Sequence, residues 1–162
     1  MKVIFLDVDG VLNSGQTLVS GFDLYKDYLL NLKELVNKTG AKIVLTSSWR
    51  NFIKRGARGR GYHPYGELLL FTFALHELSL YDKVSDVELS SSNRGQDILK
   101  WLEMHPQVTS FVILDDCVFD FEECGLLKYL VRTNAGERRN TPFDLQGFNR
   151  MSFLKALEIL NK

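Results

Sequence analysis

Asp7 and Asp9 stand two residues apart in FLDVDGVLN, at the end of an apolar run and directly before a glycine. Asp115 and Asp116 close a second apolar run, FVILDD. On a strand, side chains two apart project from the same face, so Asp7 and Asp9 can enter one site together. A cluster of four carboxylates repels itself more strongly as water is excluded. A hard cation resolves that repulsion. Mg²⁺ takes oxygen ligands in octahedral array and keeps several waters, which leaves room for a phosphate oxygen. The competing reading is that strand-terminal Asp residues merely cap the turns or helices that follow. It suits any one of these acids better than it suits all four.

The elements that would position them follow a strand–helix alternation. KVIFLD from Lys2, AKIVLT from Ala41 and VTSFVILDD from Val108 are short apolar runs rich in β-branched and aromatic residues, as buried strands are. Between the first two lies DLYKDYLLNLKELVNKTG, with Asp23 as N-cap, Tyr25, Leu29, Leu32 and Val36 at helical spacing, and Gly40 as the stop. A helix is expected from near Pro64 to about His76. In SSSNRGQDILKWLEMHP, Ser92 or Asn93 is the N-cap, Ile98, Trp101 and Leu102 form the apolar face, and Pro106 ends the helix. YLVRT reads as a short last strand and SFLKALEIL from Ser152 as a closing helix. Strands separated by helices pair in parallel through right-handed crossovers, which buries the sheet on both faces. The expectation is one α/β domain over residues 1–162, a Rossmann-like three-layer α/β/α sandwich with a mostly parallel central sheet. In such sheets ligands bind beyond the carboxyl ends of the strands. Two of the three best strands end there in acids and the third, IVLTSS, in hydroxyls.

The bulk properties exclude several classes. The chain has 162 residues, 45% of them hydrophobic and 25% charged, as expected of an ordinary globular protein. Its 20 basic and 20 acidic residues cancel, so any electrostatic steering must come from local patches. No apolar run approaches the roughly 18 residues of a membrane span, and no signal-peptide pattern is present. Two cysteines, Cys117 and Cys124, without secretory marks point to a reduced, cytoplasmic setting. Neither they nor the scattered His63, His76 and His105 have zinc-ligand spacing.

DVDGVL resembles the first motif of the haloacid dehalogenase-like (HAD) superfamily, IVLTSS its second, RGQDILKWL its third and VILDD its fourth, in the family's order. DVDGVLN, LTSSWR, RGQDILKWLEMHP and FVILDD together are similar in particular to the small HAD domains of proteins proposed to repair RNA ends. The resemblance implies phosphoryl transfer through an aspartyl-phosphate. Asp7 would be the nucleophile, a carboxylate already ionised at neutral pH. Asp9 would protonate the leaving oxygen and later take a proton from water. Gly10 would let the backbone turn sharply after the acids. Thr46 and Ser47 would bind phosphate, although Thr46 to Ser48 could equally cap a helix entered at Trp49. Mg²⁺ would be held by Asp7, the main-chain carbonyl of Asp9, and Asp115 or Asp116. The third motif usually carries Lys; here Arg94 stands in its place and can still neutralise phosphate. Lys100, six residues into the helix, is the competing cation.

Only about 30 residues separate DVDG from the second strand, and a helix uses most of them, so no large cap domain is expected. An open site suits a phosphate displayed on a macromolecule, either a nucleic-acid end or a phosphoprotein. Arg50, Lys54, Arg55, Arg58 and Arg60 lie close together with no acid among them, beside Tyr62, His63 and Tyr65. Cations for phosphates and aromatics for stacking are what single strands require, though a solvated basic loop has the same composition. The leading expectation is a Mg²⁺-dependent phosphomonoesterase. The alternatives are phosphotransfer to a small second substrate and a metal- or phosphate-binding module without turnover.

Overall fold

The computed structural model describes residues 1–14, 24–47, 75–80, 84–87, 93–136 and 141–162. Five strands form one sheet: β1 (Lys2–Leu6), β2 (Lys42–Leu45), β3 (Val84–Val87), β4 (Ser110–Asp115) and β5 (Leu130–Arg132). Their spatial order is β3-β2-β1-β4-β5, and every neighbouring pair is parallel. The expected mostly parallel sheet is therefore parallel throughout its described strands. β3 has no counterpart in the sequence reading, because VSDV alone is too short and polar to signal a strand.

Among the described residues, three long helices cover the sheet: α1 (Lys26–Thr39), α2 (Arg94–Met104) and α3 (Arg150–Leu160). Alternation along the strands assigns the layers. Ile4, Leu6, Ile43, Leu45, Val112 and Leu114 pack with Leu32 and Leu35 of α1 and Phe153 and Ala156 of α3. Val3, Phe5, Val44 and Ile113 pack on the other face with Ile98 and Trp101 of α2. This is the three-layer α/β/α arrangement.

The helix boundaries have local causes. Gly40 ends α1 at φ 67°, its N–H bonded to the Val36 carbonyl, as its place after the last apolar residue implied. The start of α1 differs: Tyr25 occupies the cap, and Asp23 lies outside the described residues. α2 ends before Pro106, with Asn93 at its N-cap position. α3 begins two residues earlier than SFLKALEIL suggested, because Asn149 caps it by accepting the Ser152 N–H. Of the helix expected from Pro64 to His76, residues 75–77 are helical and 64–74 lie outside the described residues. No helix among the described residues is long and apolar enough to cross a membrane.

Register places the functional ends. β1 lies between β2 and β4, with Leu6 beside both Leu45 and Leu114. The chain runs from β1 outward to β2 and β3, then returns to β4 on the opposite side of β1, so the strand order reverses between β1 and β4. That crevice is where open parallel sheets bind ligands.

Trp101 anchors the α2 layer: it is 2% exposed, meets the Phe5 ring edge-on at 5.4 Å and stacks on His105 at 3.6 Å. Replacing Trp101 with Ala removes the largest side chain of this cluster and should cost roughly 3–5 kcal/mol, read as a lowered midpoint in urea unfolding.

Candidate active site

Beyond the C-terminal edge, the chain keeps β1 and β4 bound together past their last ladder residues. The Asp7 N–H donates to the Leu114 carbonyl at 2.9 Å, and the Thr46 N–H to the Leu6 carbonyl at 3.0 Å. Three of the expected site residues, Asp7, Thr46 and Asp115, thus leave adjacent strands at one level, and all three are buried.

Arg94, the first residue of α2, reaches this point from the layer above. Its Nη1 lies 2.5 Å from Asp115 Oδ2 and 3.4 Å from Asp7 Oδ2. Acids more than a hundred residues apart in sequence therefore converge on one guanidinium. Lys100 is exposed, six residues further along α2. The Phe119 ring lies 4.3 Å from the Arg94 guanidinium carbon, a cation–π contact that limits where the side chain can move.

Burial opposes charge on both carboxyls. For Asp115, burial and then the negative charge of Asp7 push the carboxyl up to about 7, against the attraction of Arg94 and a hydrogen bond from the Cys117 N–H. Burial also raises Asp7, opposed by Arg94, the Ser47 side chain and the Val8 N–H. One guanidinium does not neutralise this cluster.

Asp116 faces the loop after β1. A Cβ on Gly10 would sit 2.6 Å from Asp116 Cγ, and Gly10 has φ +70°. The glycine after the acids is thus required twice, by the left-handed turn and by the carboxylate packed against its Cα. Thr133, just past β5, ties this corner: its hydroxyl donates to the Gly10 carbonyl and its N–H to the Asp115 carbonyl. Asp9 is turned toward Asn13, whose amide donates to Asp9 Oδ1 and whose Oδ1 accepts the Gly10 N–H.

Asp115, Asp116 and Cys117 form a cluster of potential metal-ligand atoms within 4.8 Å of one another. Neither Asp7 nor Asp9 belongs to it. Burial, followed by the Asp116 charge, pushes the Cys117 thiol up to about 11, so it stays protonated while no metal is bound. The other donors are carboxylates, with Asp7 linked to Asp115 through Arg94. This hard, anion-rich set fits a hard divalent cation.

Sequence reasoning missed four positioning groups: Asn13, Thr133, Phe119 and Asp120. Asp120 accepts the Gly95 and Gln96 N–H groups and so caps α2 from the loop after β4. Although partial burial opposes it, these bonds hold the Asp120 carboxyl below its ordinary value. A Cβ on Gly95 would lie 3.0 Å from Cys124 Sγ and 3.1 Å from Asp120 Oδ1, which accounts for the glycine after Arg94. Only the N in DGVLN could have signalled any of this, as an Asx residue following a turn. Arg50, Arg55, Arg58 and Arg60 of the expected substrate surface lie outside the described residues.

The parallel sheet with acids at its switch point defines a HAD-type α/β domain, a class that is phosphatase-like at superfamily level. More narrowly, residues 3–137 match the family described as the HAD domain in Swiss Army Knife RNA repair proteins, and the chain belongs to that family. Neither the curated proteins nor the solved structures hold a match to the chain.

Gly10→Ala should destabilise the protein by roughly 1–3 kcal/mol in chemical denaturation, since the new Cβ meets both the strained backbone and Asp116. The raised Asp115 carboxyl sets a pH dependence. Between about pH 4 and pH 7 the folded protein holds more protons than the unfolded chain, so metal-free stability declines as pH rises through that window. Asp115→Asn should flatten this decline in melting temperatures measured across the same range.

Proposed function

We propose that this domain, one unit over residues 1–162, is a phosphomonoesterase that works through an aspartyl-phosphate on Asp7. The observation that carries this reading is the bridge of Arg94 between Asp7 and Asp115. A buried carboxylate facing a fixed cation at the strand ends is what a nucleophile needs to meet an anionic phosphoryl group.

Each residue then has a task. Asp7 attacks phosphorus while its hydrogen bonds from Ser47 and the Val8 N–H limit its orientation. Arg94 offsets the phosphate charge as it approaches the acids. Thr46 and Ser47, both buried at the end of β2, offer hydroxyls to phosphate oxygens. Asp9, held by Asn13 rather than by Arg94, is the acid that protonates the leaving oxygen and the base that then activates water. Mg²⁺, held by Asp7, the Asp9 carbonyl and Asp115 or Asp116, would supply charge neutralisation for the transferring group. The family's link to RNA repair proteins supports a phosphate on a nucleic-acid end over one on a phosphoprotein.

p-Nitrophenyl phosphate hydrolysis with and without Mg²⁺ tests the reading. Asp7→Asn should lower kcat on the order of 10³-fold or more, and Asp9→Asn roughly 10²–10⁴-fold. Arg94→Ala should lose activity that Arg94→Lys partly restores. Equal turnover in wild type and Asp7→Asn would reject the nucleophile and leave a binding module.

A further inference from the structure

A groove of about 840 Å³ opens directly beside the acid cluster. Its walls include the chain leaving β5 and the first two turns of α3, and Asp116 and Cys117 line it as well. The groove therefore borders the acid cluster through these two residues.

Its chemistry differs from that of the rim. Asp116 is the one acid lining it among the described residues, whereas Arg132 and Lys155 are both cations, and Asn134 adds an amide. Arg132 donates through Nε to the Asp116 main-chain carbonyl at 3.0 Å, which fixes the root of its guanidinium. Among the described residues, neither Arg132 nor Lys155 has an ion pair. Met151, Ser152 and Lys155 share one face of α3, because residues three and four apart on a helix are neighbours. That face belongs to the N-terminal half of the helix, where the backbone dipole also favours an anion. Met151 is 60% exposed and Leu145 50%, so apolar surface lies beside the cations.

Two cations without an ion pair among the described residues, next to apolar surface, suit a ligand that alternates charge with flat apolar groups. A nucleic-acid strand does this at every residue, so any strand continuing past the reacting phosphate brings another phosphate with it. A phosphopeptide carries no such repeat. Building on the phosphatase reading, we propose that this groove binds the nucleic-acid strand next to the reacting end, with Arg132 and Lys155 on its adjoining phosphate and Leu145 and Met151 against a base or ribose. The groove would then select substrate while the acid rim carries out the chemistry.

The test compares p-nitrophenyl phosphate, which is too small to reach the groove, with a single-stranded oligoribonucleotide bearing a terminal phosphate, using the full chain. Lys155→Ala should raise KM for the oligonucleotide roughly tenfold and reduce the log–log salt slope of its binding by about 0.7, the loss of one phosphate contact. Its kcat/KM for p-nitrophenyl phosphate should stay at the wild-type value. Lys155→Glu should weaken oligonucleotide binding further. An unchanged oligonucleotide KM, or an equal loss on both substrates, overturns the proposal. So does a phosphopeptide whose KM rises as much as that of the oligonucleotide. If neither substrate is turned over, the phosphatase reading fails on its own. Fluorescence anisotropy of the same oligonucleotide on wild type, Arg132→Ala and Lys155→Ala then decides the groove: weaker binding by the variants upholds it, and equal binding removes it.

Discussion

Two buried carboxylates share one guanidinium, and the architecture around them follows from the cost of that arrangement. Taking Asp7 and Asp115 out of water is expensive for each, and their mutual repulsion adds to it. Arg94 offsets the cost only while it is held at both oxygens, 2.5 Å from one and 3.4 Å from the other. A guanidinium on a mobile chain end would not stay there. The protein instead puts Arg94 on the first turn of α2 and fastens that turn to the loop after β4 through Asp120. Phe119, from the same loop, closes over the guanidinium. The loop after Asp115 thus holds the cation that Asp115 itself requires.

The remaining charge is what makes the site receptive. Burial lifts Asp115 far above the ordinary carboxylate range despite Arg94, so when it is ionised its charge exceeds what Arg94 offsets. An arriving divalent cation relieves that excess, and the hard oxygen donors favour one of the Mg²⁺ type over a soft metal. Cys117 stands close enough to belong to the cluster, yet a thiol is a softer donor than the carboxylates beside it, and the nearby acids hold its proton on while no metal is bound. Proximity alone does not assign a role.

Much of this was legible in the chain because it rests on local pattern. Apolar runs ending in acids located β1 and β4. Gly40 announced its helix end, since only a residue without Cβ adopts that conformation cheaply. What escaped the reading depends on contacts made across the fold. β3 is a strand because β2 offers it an edge, not because VSDV is apolar. Asp120 caps a helix that begins 26 residues before it, and Thr133 braces a loop 123 residues away. Such pairings leave no spacing signature. Gly10 falls between the two cases: its turn was readable in DVDG, whereas the Asp116 carboxylate lying against it was not.

On the proposed reading, one short stretch supplies different chemistry from two positions, Asp7 and Asp9. Asp7 continues β1, is buried, and faces Arg94, Ser47 and the Val8 N–H. Asp9 lies past the strand, is only half-buried, and accepts from the Asn13 amide, whose Oδ1 in turn accepts the Gly10 N–H. A residue fixed among hydrogen-bond donors keeps the geometry an attacking oxygen must hold. One nearer solvent retains the access to water that proton exchange needs. Two equivalent carboxylates would compete for one role, and here the environments separate them. The end of β1 creates the difference: the Asp7 N–H still bonds the Leu114 carbonyl of the sheet, whereas Asp9 already lies in the turn that leads through Gly10.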